Sequence, residues 1–265
     1  MKKIPFILVC LCLIASPVFA FGPAIQAVVG ASSAASCTVS CTGLTLCQDF
    51  ETTVEPCTTC TENKAAGAGT ETWMATTAVE MDYATSPAPL HGTQSVWVLN
   101  NTDGVYSEFS EATEVWLFYR FRPEVVNDSA SLIYLKNGST ALAYQSLSSP
   151  TGKMIIYSGA SSGTSTATVT AAEICVWAHW LKGAGSGDGT YVQYFDECAD
   201  VCTGGVCTRP ASPDPAAGTD GAWDSADASA TRLTIIGDPS NEIIVDQVYL
   251  AVGASEPGFW TSICD

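Results

Sequence analysis

Four polar side chains alternate with apolar residues in the segment Glu114–Lys136, and their chemistry suits an anionic ligand. They are Arg120, Arg122, Tyr134 and Lys136. Guanidinium groups bind carboxylates and sulfates through paired hydrogen bonds, and a lysine adds a compact positive charge. Successive side chains of a strand point to opposite faces, so the alternation sets these residues opposite an apolar row. The segment predicts two strands joined by a polar loop, and Pro123 is expected to end the first strand. If the two strands pair, the four side chains share the outer face of one sheet.

Three more residues on predicted strands could extend this patch: Trp116, Gln145 and His179. An aromatic face can stack on the C–H side of a sugar ring, although Trp116 could equally be a sandwich residue packed under a loop. A lone histidine such as His179 is more often structural than catalytic. Arg120 and Arg122 also have an alternative role, as edge-strand charges that prevent aggregation.

The first twenty residues predict a secretory signal peptide. They combine two lysines, an apolar run from Ile4 to Ile14 and a terminal Val18-Phe19-Ala20. The apolar run is too short to span a bilayer comfortably, so we expect no membrane insertion. The mature protein is predicted to be secreted, either extracellular or on the cell surface, with the periplasm as an alternative.

Residues 21–36 are rich in Ala, Ser and Gly and carry no charge. This segment is predicted to be a linker, or an N-terminal strand that adds to a neighbouring sheet and supports self-association. Residues 37–265 are predicted to form one large domain, with two small domains as the alternative.

The charge balance argues against two classes of partner. The chain has a net charge of −17, and removal of the predicted signal peptide leaves 8 basic residues against 27 acidic ones, or about −19. Such a surface repels nucleic acid and anionic membranes. A local cationic patch would be an exception on such a surface and could select anionic ligands.

Ten cysteines remain outside the predicted signal peptide, and an even number in an exported chain indicates up to five disulfides. They are Cys37, Cys41, Cys47, Cys57, Cys60, Cys175, Cys198, Cys202, Cys207 and Cys264. The spacing Cys57-Thr-Thr-Cys60 occurs in zinc knuckles, but neither histidine is near a cysteine cluster, so we predict no metal there. Along the chain these cysteines form groups of five, four and one. If all of them pair, at least one disulfide must join two groups.

Short alternating segments separated by Gly, Ser, Asn or Pro predict an all-β, antiparallel fold. After the two opening strands, the expected strands are 92–99, 141–147, 153–157, 167–170, 174–182, 190–196, 232–237 and 243–252. Residues 198–230 interrupt this pattern as an acidic surface loop pinned by disulfides. Its aspartates, Asp214, Asp220, Asp224 and Asp227, could hold calcium or simply be solvated, and no other cofactor is predicted.

Five segments between Cys47 and Phe259 together resemble the concanavalin A-like lectin/glucanase superfamily, including laminin G-like modules. They are CQDFE, HGTQSVWV, VWLFYRFRP, ICVWAHWLKGAGSGDGTYVQYFDE and IIVDQVYLAVG. The resemblance implies a two-sheet jelly-roll sandwich that binds glycans on its concave face or rim loops. It also implies that Trp180 is a core residue. Since jelly-roll termini lie close together, we expect Cys264 to join the N-terminal cysteines and the middle four to pair among themselves.

This fold alone does not determine function, because lectins, hydrolases, lyases and adhesion modules share it. The chain lacks the E-x-D-x-x-E strand of laminarinase-type hydrolases, and YLKNGSTALAYQ only echoes the alginate-lyase motif Y-x-K-x-G-x-Y-x-Q. We therefore assign no catalytic residue and predict a secreted, lectin-like protein whose seven-residue patch binds an extracellular anionic glycan. The alternatives are a polysaccharide lyase or glycoside hydrolase, a structural surface or filament protein, and an adhesion domain without a glycan ligand.

Overall fold

Two antiparallel β-sheets pack face to face, and apolar alternation along their strands accounts for the packing. The computed structural model describes residues 41–48, 50, 65–66, 72–75, 90, 95–98, 104–126, 128–158, 161–184, 189–215, 228–237 and 241–264. The predicted signal peptide, the segment 21–36, three cysteines (Cys37, Cys57 and Cys60) and the side chain of Cys264 lie outside this description.

The elements are, in chain order, β1 (Leu46–Gln48), β2 (Ala65–Ala66), β3 (Thr72–Ala75), β4 (Val96–Val98), β5 (Gly104–Ala112), β6 (Glu114–Pro123), β7 (Ala130–Asn137), β8 (Thr140–Ser148), β9 (Lys153–Ser158), β10 (Ser161–Thr168), β11 (Ile174–Leu181), β12 (Thr190–Glu197), the helix α1 (Cys198–Val201), β13 (Cys202–Thr203), β14 (Val206–Thr208), β15 (Ala230–Ile236), β16 (Ile243–Val252), a 3₁₀ turn (Gly258–Trp260) and β17 (Ser262–Cys264). None of the helices within the described ranges has the length and apolarity needed to cross a bilayer.

A six-stranded sheet has the order β1-β16-β6-β11-β12, with β4 also paired to β16. An eight-stranded sheet has the order β10-β9-β8-β7-β15-β5-β3-β2. A small third sheet, β13-β14-β17, joins the cysteine-rich hairpin to the C-terminal strand. The predicted all-β, antiparallel, two-sheet sandwich is confirmed.

Apolar side chains of both sheets meet in the interior. From β6 come Val115, Leu117, Tyr119 and Phe121, which pack with residues such as Leu132 of β7. Trp180 on β11 is also fully buried in this inner core, as predicted. The alternation noted in the sequence therefore identifies the inner face of each of these strands correctly.

The six-stranded sheet buries its outer face as well. Trp116, Phe118 and Trp177 belong to a second core, which also contains Phe259 and Trp260 from the C-terminal segment. The indole nitrogen of Trp177 donates a hydrogen bond to the carbonyl oxygen of Phe259 over 3.1 Å. We call residues 258–264 the C-terminal cover, because they pack over this face.

Disulfides fasten the same region. The middle four cysteines pair among themselves as Cys175–Cys198 and Cys202–Cys207, which confirms that part of the prediction. Cys41 pairs with Cys47. The predicted link from Cys264 to the N-terminal cysteines is not covered by the described side chains and stays a prediction.

Strand positions agree with the sequence prediction along most of the described chain, with two informative departures. No strand was predicted between residues 99 and 114, whereas β5 starts at Gly104 and runs to Ala112. Within β5, only Val105 and Phe109 bring large apolar side chains to the core. The alternation of apolar and polar residues that would predict a strand is therefore weak. The strand β10 also starts earlier than predicted. Its Ser, Gly and Thr residues have the composition of a loop, so the sequence does not show where the strand begins.

A carboxylate caps the edge strand β10. Asp214 accepts hydrogen bonds from the backbone nitrogens of Thr166 and Ala167, at 2.7 and 2.8 Å, and from the Thr166 hydroxyl at 2.9 Å. Exposed backbone groups of an edge strand can pair with another chain, and occupied groups cannot. Asp214 was one of the four aspartates considered for calcium, and here both of its oxygens accept protein hydrogen bonds. The other three lie outside the described residues.

We therefore predict that Asp214→Ala destabilises the fold by about 1–3 kcal/mol through the lost hydrogen bonds and promotes concentration-dependent association at β10. Urea unfolding and sedimentation velocity would measure both effects. Asp200→Ala, which removes an exposed carboxylate from α1, is the matched control. If Asp214→Ala matches this control in stability and stays unassociated, the cap has no role.

Candidate functional site

The seven predicted ligand-binding residues are divided between the two sheets. Arg120 and Arg122 lie on β6 in the six-stranded sheet, whereas Tyr134 and Lys136 lie on β7 in the eight-stranded sheet. The prediction of one patch on neighbouring strands is therefore wrong. An alternating pattern identifies which residues share a face of a strand, but it does not identify the sheet to which the strand belongs.

Arg120 is 2% exposed and lies within the second core. Its Nη1 atom forms a 2.8 Å ion pair with Glu173, and its Nη2 atom donates to the sulfur of Cys207 at 3.2 Å. Both arginines lie on a strand flanked by β16 and β11, so their alternative role as edge-strand charges is also wrong. Arg122 is half-buried opposite Ile244.

Gln145 points into the space between the sheets and is fully buried. It accepts a hydrogen bond from the Tyr119 hydroxyl at 3.1 Å and donates to Gln193 at 2.6 Å. Gln193 in turn donates to the carbonyl oxygen of Asp214. The predicted surface position of Gln145 is wrong, because this polar chain links the two sheets through the core.

Trp116 and His179 meet on the outer face of the six-stranded sheet. Their rings stack at 3.7 Å between centroids, and Trp260 of the C-terminal cover packs edge-on against both. His179 Nε2 lies 2.8 Å from Glu114 Oε1, and the Trp116 indole donates to the carbonyl oxygen of Gly253. With Trp116 only 8% exposed, this arrangement agrees with its packing alternative.

The outer face of the eight-stranded sheet carries a row of tyrosines. Tyr134, Tyr144 and Tyr157 are directly opposite one another on β7, β8 and β9. Their rings stack with centroids 4.7 and 4.2 Å apart. Neighbours on each strand face the inner core, so these half-buried rings face outward. We call these three residues the tyrosine row.

A β-bulge brings the tyrosine row into line. Between β7 and β8, Lys136 is opposite Ala141 while Leu135 is opposite Ala143, so Leu142 is the extra residue. Regular pairing from the turn at Gly138 would set Tyr134 against Ala143 instead of Tyr144. The bulge therefore determines which side chain meets Tyr134, and a bulge cannot be located from alternation alone.

Two cations lie beside the tyrosine row. Lys136 is opposite Arg232 of β15, and its Nζ atom lies 5.2 Å from the centre of the Tyr134 ring. Arg232 stacks over the ring of Tyr106 at 4.1 Å and pairs with Glu108 of β5. Within the described residues, no carboxylate pairs with Lys136.

Burial lowers the pKa of Lys136 from its usual range, and the charge of Arg232 lowers it further. Like charges directly opposite each other on neighbouring strands destabilise a sheet. The tyrosine row, Lys136, Arg232 and Tyr106 thus form a face with phenol groups and a locally positive end. We call it the tyrosine–cation face.

Sequence reasoning identified Tyr134 and Lys136 correctly as neighbours but missed Tyr144, Tyr157 and Arg232. Tyr144 and Tyr157 each occupy an outward position of a predicted strand, so the alternation contained their signal. Arg232 begins a predicted strand but lies almost a hundred residues from Lys136, and the pairing of β15 with β7 has no local signature.

Comparisons with known proteins show a shared fold. No protein-family model matches the chain, and no curated protein matches it by sequence. Among solved structures, Trypanosoma rangeli sialidase in complex with 2,3-difluoro-KDN aligns with a TM-score of 0.51 and 11% identity, over 86% of this chain and 33% of that one. Trypanosoma rangeli sialidase in a second structure aligns at 0.50 and 11%, over 82% and 33%. The binding domain of botulinum neurotoxin DC aligns at 0.48 and 8%, over 81% and 49%.

This chain therefore spans about a third of the sialidase and about half of the toxin domain. At these identities, the likeness is one of fold alone.

The pKa of His179 tests how far its contacts with Trp116 and Trp260 bury it. Burial lowers its pKa from the ordinary value of about 6.5, while the hydrogen bond and charge of Glu114, and the charge of Glu256, act in the opposite direction. Glu114→Gln should therefore lower the pKa of His179 further, as measured by NMR titration of its ring protons.

The lowered pKa of His179 makes the stability of the fold depend on pH. With the folded pKa below the unfolded one, neutral His179 contributes stability above pH about 6.5 that is lost as the pH falls towards the folded pKa. A wild-type pKa at or above the ordinary value, or a rise in Glu114→Gln, would contradict the burial account.

Proposed function

We propose that this protein is an exported carbohydrate-binding module whose tyrosine–cation face binds an anionic glycan. The observation that carries the proposal is the half-exposed row of stacked tyrosines ending at two cations that face each other. The fold shared with a sialidase solved in complex with 2,3-difluoro-KDN supports a glycan as the ligand class.

The tyrosine row is suited to hydrogen bonding with sugar hydroxyls. Because Tyr134, Tyr144 and Tyr157 stack on one another, their facing ring surfaces are occupied, and their edges and hydroxyl groups are what they offer a ligand. The Tyr134 hydroxyl also lies 3.2 Å from the Ser131 hydroxyl. Stacking holds the rings in place before binding, which reduces the side-chain entropy lost when a ligand binds.

The cations favour a carboxylate or sulfate on that glycan. An anionic group near Lys136 and Arg232 would relieve their mutual repulsion and restore the pKa of Lys136 towards its usual range. The Nε and Nη2 atoms of Arg232 already donate to Glu108, so Lys136 is the main cation through which such an anion would bind. On a chain with a net charge of −17, selectivity for an anion requires a local positive site of this kind.

A second candidate function is a polysaccharide lyase. Tyr134 lies next to a lysine whose pKa is lowered, and these residue types serve as acids and bases in proton transfer. Of the other predicted site residues, Gln145 lies in the core and His179 lies on the other sheet. Formation of unsaturated uronate ends from a polyuronate would favour the lyase, and binding without cleavage would favour the module.

Lys136→Met tests the proposal, because it removes the charge and keeps an apolar stem against Tyr134. We expect a loss of about 1.5–3 kcal/mol in binding of uronate or sulfated oligosaccharides, measured by titration calorimetry. Neutral oligosaccharides should bind equally well to the wild-type protein and to Lys136→Met. The affinity of the wild-type protein for anionic oligosaccharides should fall as the salt concentration rises.

Lys182→Met, which removes the same charge just after β11 on the other sheet, is the matched control. Equal affinity of Lys136→Met and Lys182→Met for every anionic oligosaccharide would show that the glycan does not use the tyrosine–cation face. Failure of the wild-type protein to bind any oligosaccharide at low salt would contradict the proposal as a whole.

A further inference from the structure

Two disulfides meet beside the second core. Cys175–Cys198 joins β11 to the start of α1, and Cys202–Cys207 closes the hairpin of β13 and β14. The sulfur of Cys202 lies only 3.7 Å from the sulfur of Cys175, to which it is not bonded. The sulfurs of Cys175, Cys198 and Cys202 all lie within 4.8 Å of one another. A thiolate at Cys202 would therefore have a second disulfide within reach.

The four cysteines differ in access to solvent. Cys175, Cys198 and Cys207 are buried, whereas Cys202 is half-buried. Thiol–disulfide exchange begins when an external thiolate attacks an accessible sulfur. Among the four sulfurs, that of Cys202 is the entry point.

Arg120 contacts the other sulfur of this disulfide, that of Cys207. Its Nη2 atom donates a hydrogen bond to Cys207 over 3.2 Å, from a buried guanidinium that also pairs with Glu173. A disulfide sulfur is a weak acceptor, whereas a thiolate beside a cation is stabilised and leaves faster. The buried arginine is thus placed where negative charge would develop on Cys207.

We propose that Cys202–Cys207 is a thiol-exchange site that accepts low-molecular-mass thiols and passes the exchange to Cys175–Cys198. In the first step, an external thiolate attacks Cys202, a mixed disulfide forms at Cys202, and the Cys202–Cys207 bond breaks with its electron pair on Cys207. A second external thiolate attacks the external sulfur of the mixed disulfide. One external disulfide forms, and Cys202 is released as a thiolate.

The Cys202 thiolate then attacks Cys175. A Cys175–Cys202 bond forms, the Cys175–Cys198 bond breaks, and Cys198 leaves as a thiolate that takes a proton from water. Overall, two external thiols are oxidised to one disulfide, and one protein disulfide is reduced to the thiols of Cys198 and Cys207. The crosslink between β11 and α1 is then replaced by one between β11 and β13.

The test uses the folded, mature protein with limiting glutathione, followed by acid quenching, alkylation and peptide mapping. We expect the first two-electron product to contain a Cys175–Cys202 crosslink with alkylated Cys198 and Cys207. Cys41 is half-buried like Cys202, so access alone does not separate the two disulfides. Because Arg120 stabilises the leaving thiolate of Cys207, this product should form at least about tenfold faster than reduction of Cys41–Cys47. Alkylation of Cys202 and Cys207 with Cys175–Cys198 intact, or earlier reduction of Cys41–Cys47, would overturn the proposal.

Two variants separate the steps. Cys207→Ser leaves Cys202 unpaired next to Cys175, so the purified protein should contain the Cys175–Cys202 crosslink and a free Cys198. In the double variant Cys202→Ser, Cys207→Ser, the Cys175–Cys198 bond should resist the same glutathione concentration. A free Cys202 thiol at alkaline pH in the first variant, or unchanged reduction of Cys175–Cys198 in the second, would refute the transfer between disulfides.

Discussion

Burial of the six-stranded sheet on both faces is the constraint on which the remaining structure depends. The strand β6 sends Leu117 to the inner core and Phe118 to the second core, and neither is exposed by more than 1%. Burying a large apolar side chain contributes about 1.5–3 kcal/mol, so several such residues on each face make the C-terminal cover integral to stability. The disulfides at Cys175 and Cys202 fasten the cysteine-rich hairpin in the same layer.

The second core determines where a ligand can bind. Since the outer face of the six-stranded sheet packs against Phe259 and Trp260, its central residues are not available to a large ligand. The outer face of the eight-stranded sheet carries half-exposed aromatic and cationic side chains instead. Polar residues inside the sandwich, Gln145 among them, hold the sheets together and are not presented to solvent.

Much of the fold could be predicted from the sequence, because alternation is a local property. The strand β16 was predicted with its observed bounds, and β6 ends at Pro123 as expected. The inner row of β6 was correct as well. The resemblance to jelly-roll proteins implied that the middle four cysteines pair among themselves, but the two individual pairs were not predicted.

The candidate site was only partly predictable, because it depends on nonlocal pairing. Nothing in the segment around Arg120 shows that residues more than 130 positions later cover it. The register that brings Tyr144 against Tyr134 depends on a bulge, and the approach of Arg232 to Lys136 depends on the sheet order. Local patterns therefore indicate the faces of strands, while the composition of a binding face follows from topology.

The central claim is that the tyrosine–cation face of the eight-stranded sheet binds the glycan. Chemical-shift mapping by NMR during titration with an oligouronate tests it most directly. The account predicts the largest backbone shifts on β7, β8, β9 and β15, centred on Tyr134, Tyr144 and Lys136. Shifts confined to β6, β11 and the C-terminal cover, around Trp116 and His179, would contradict it.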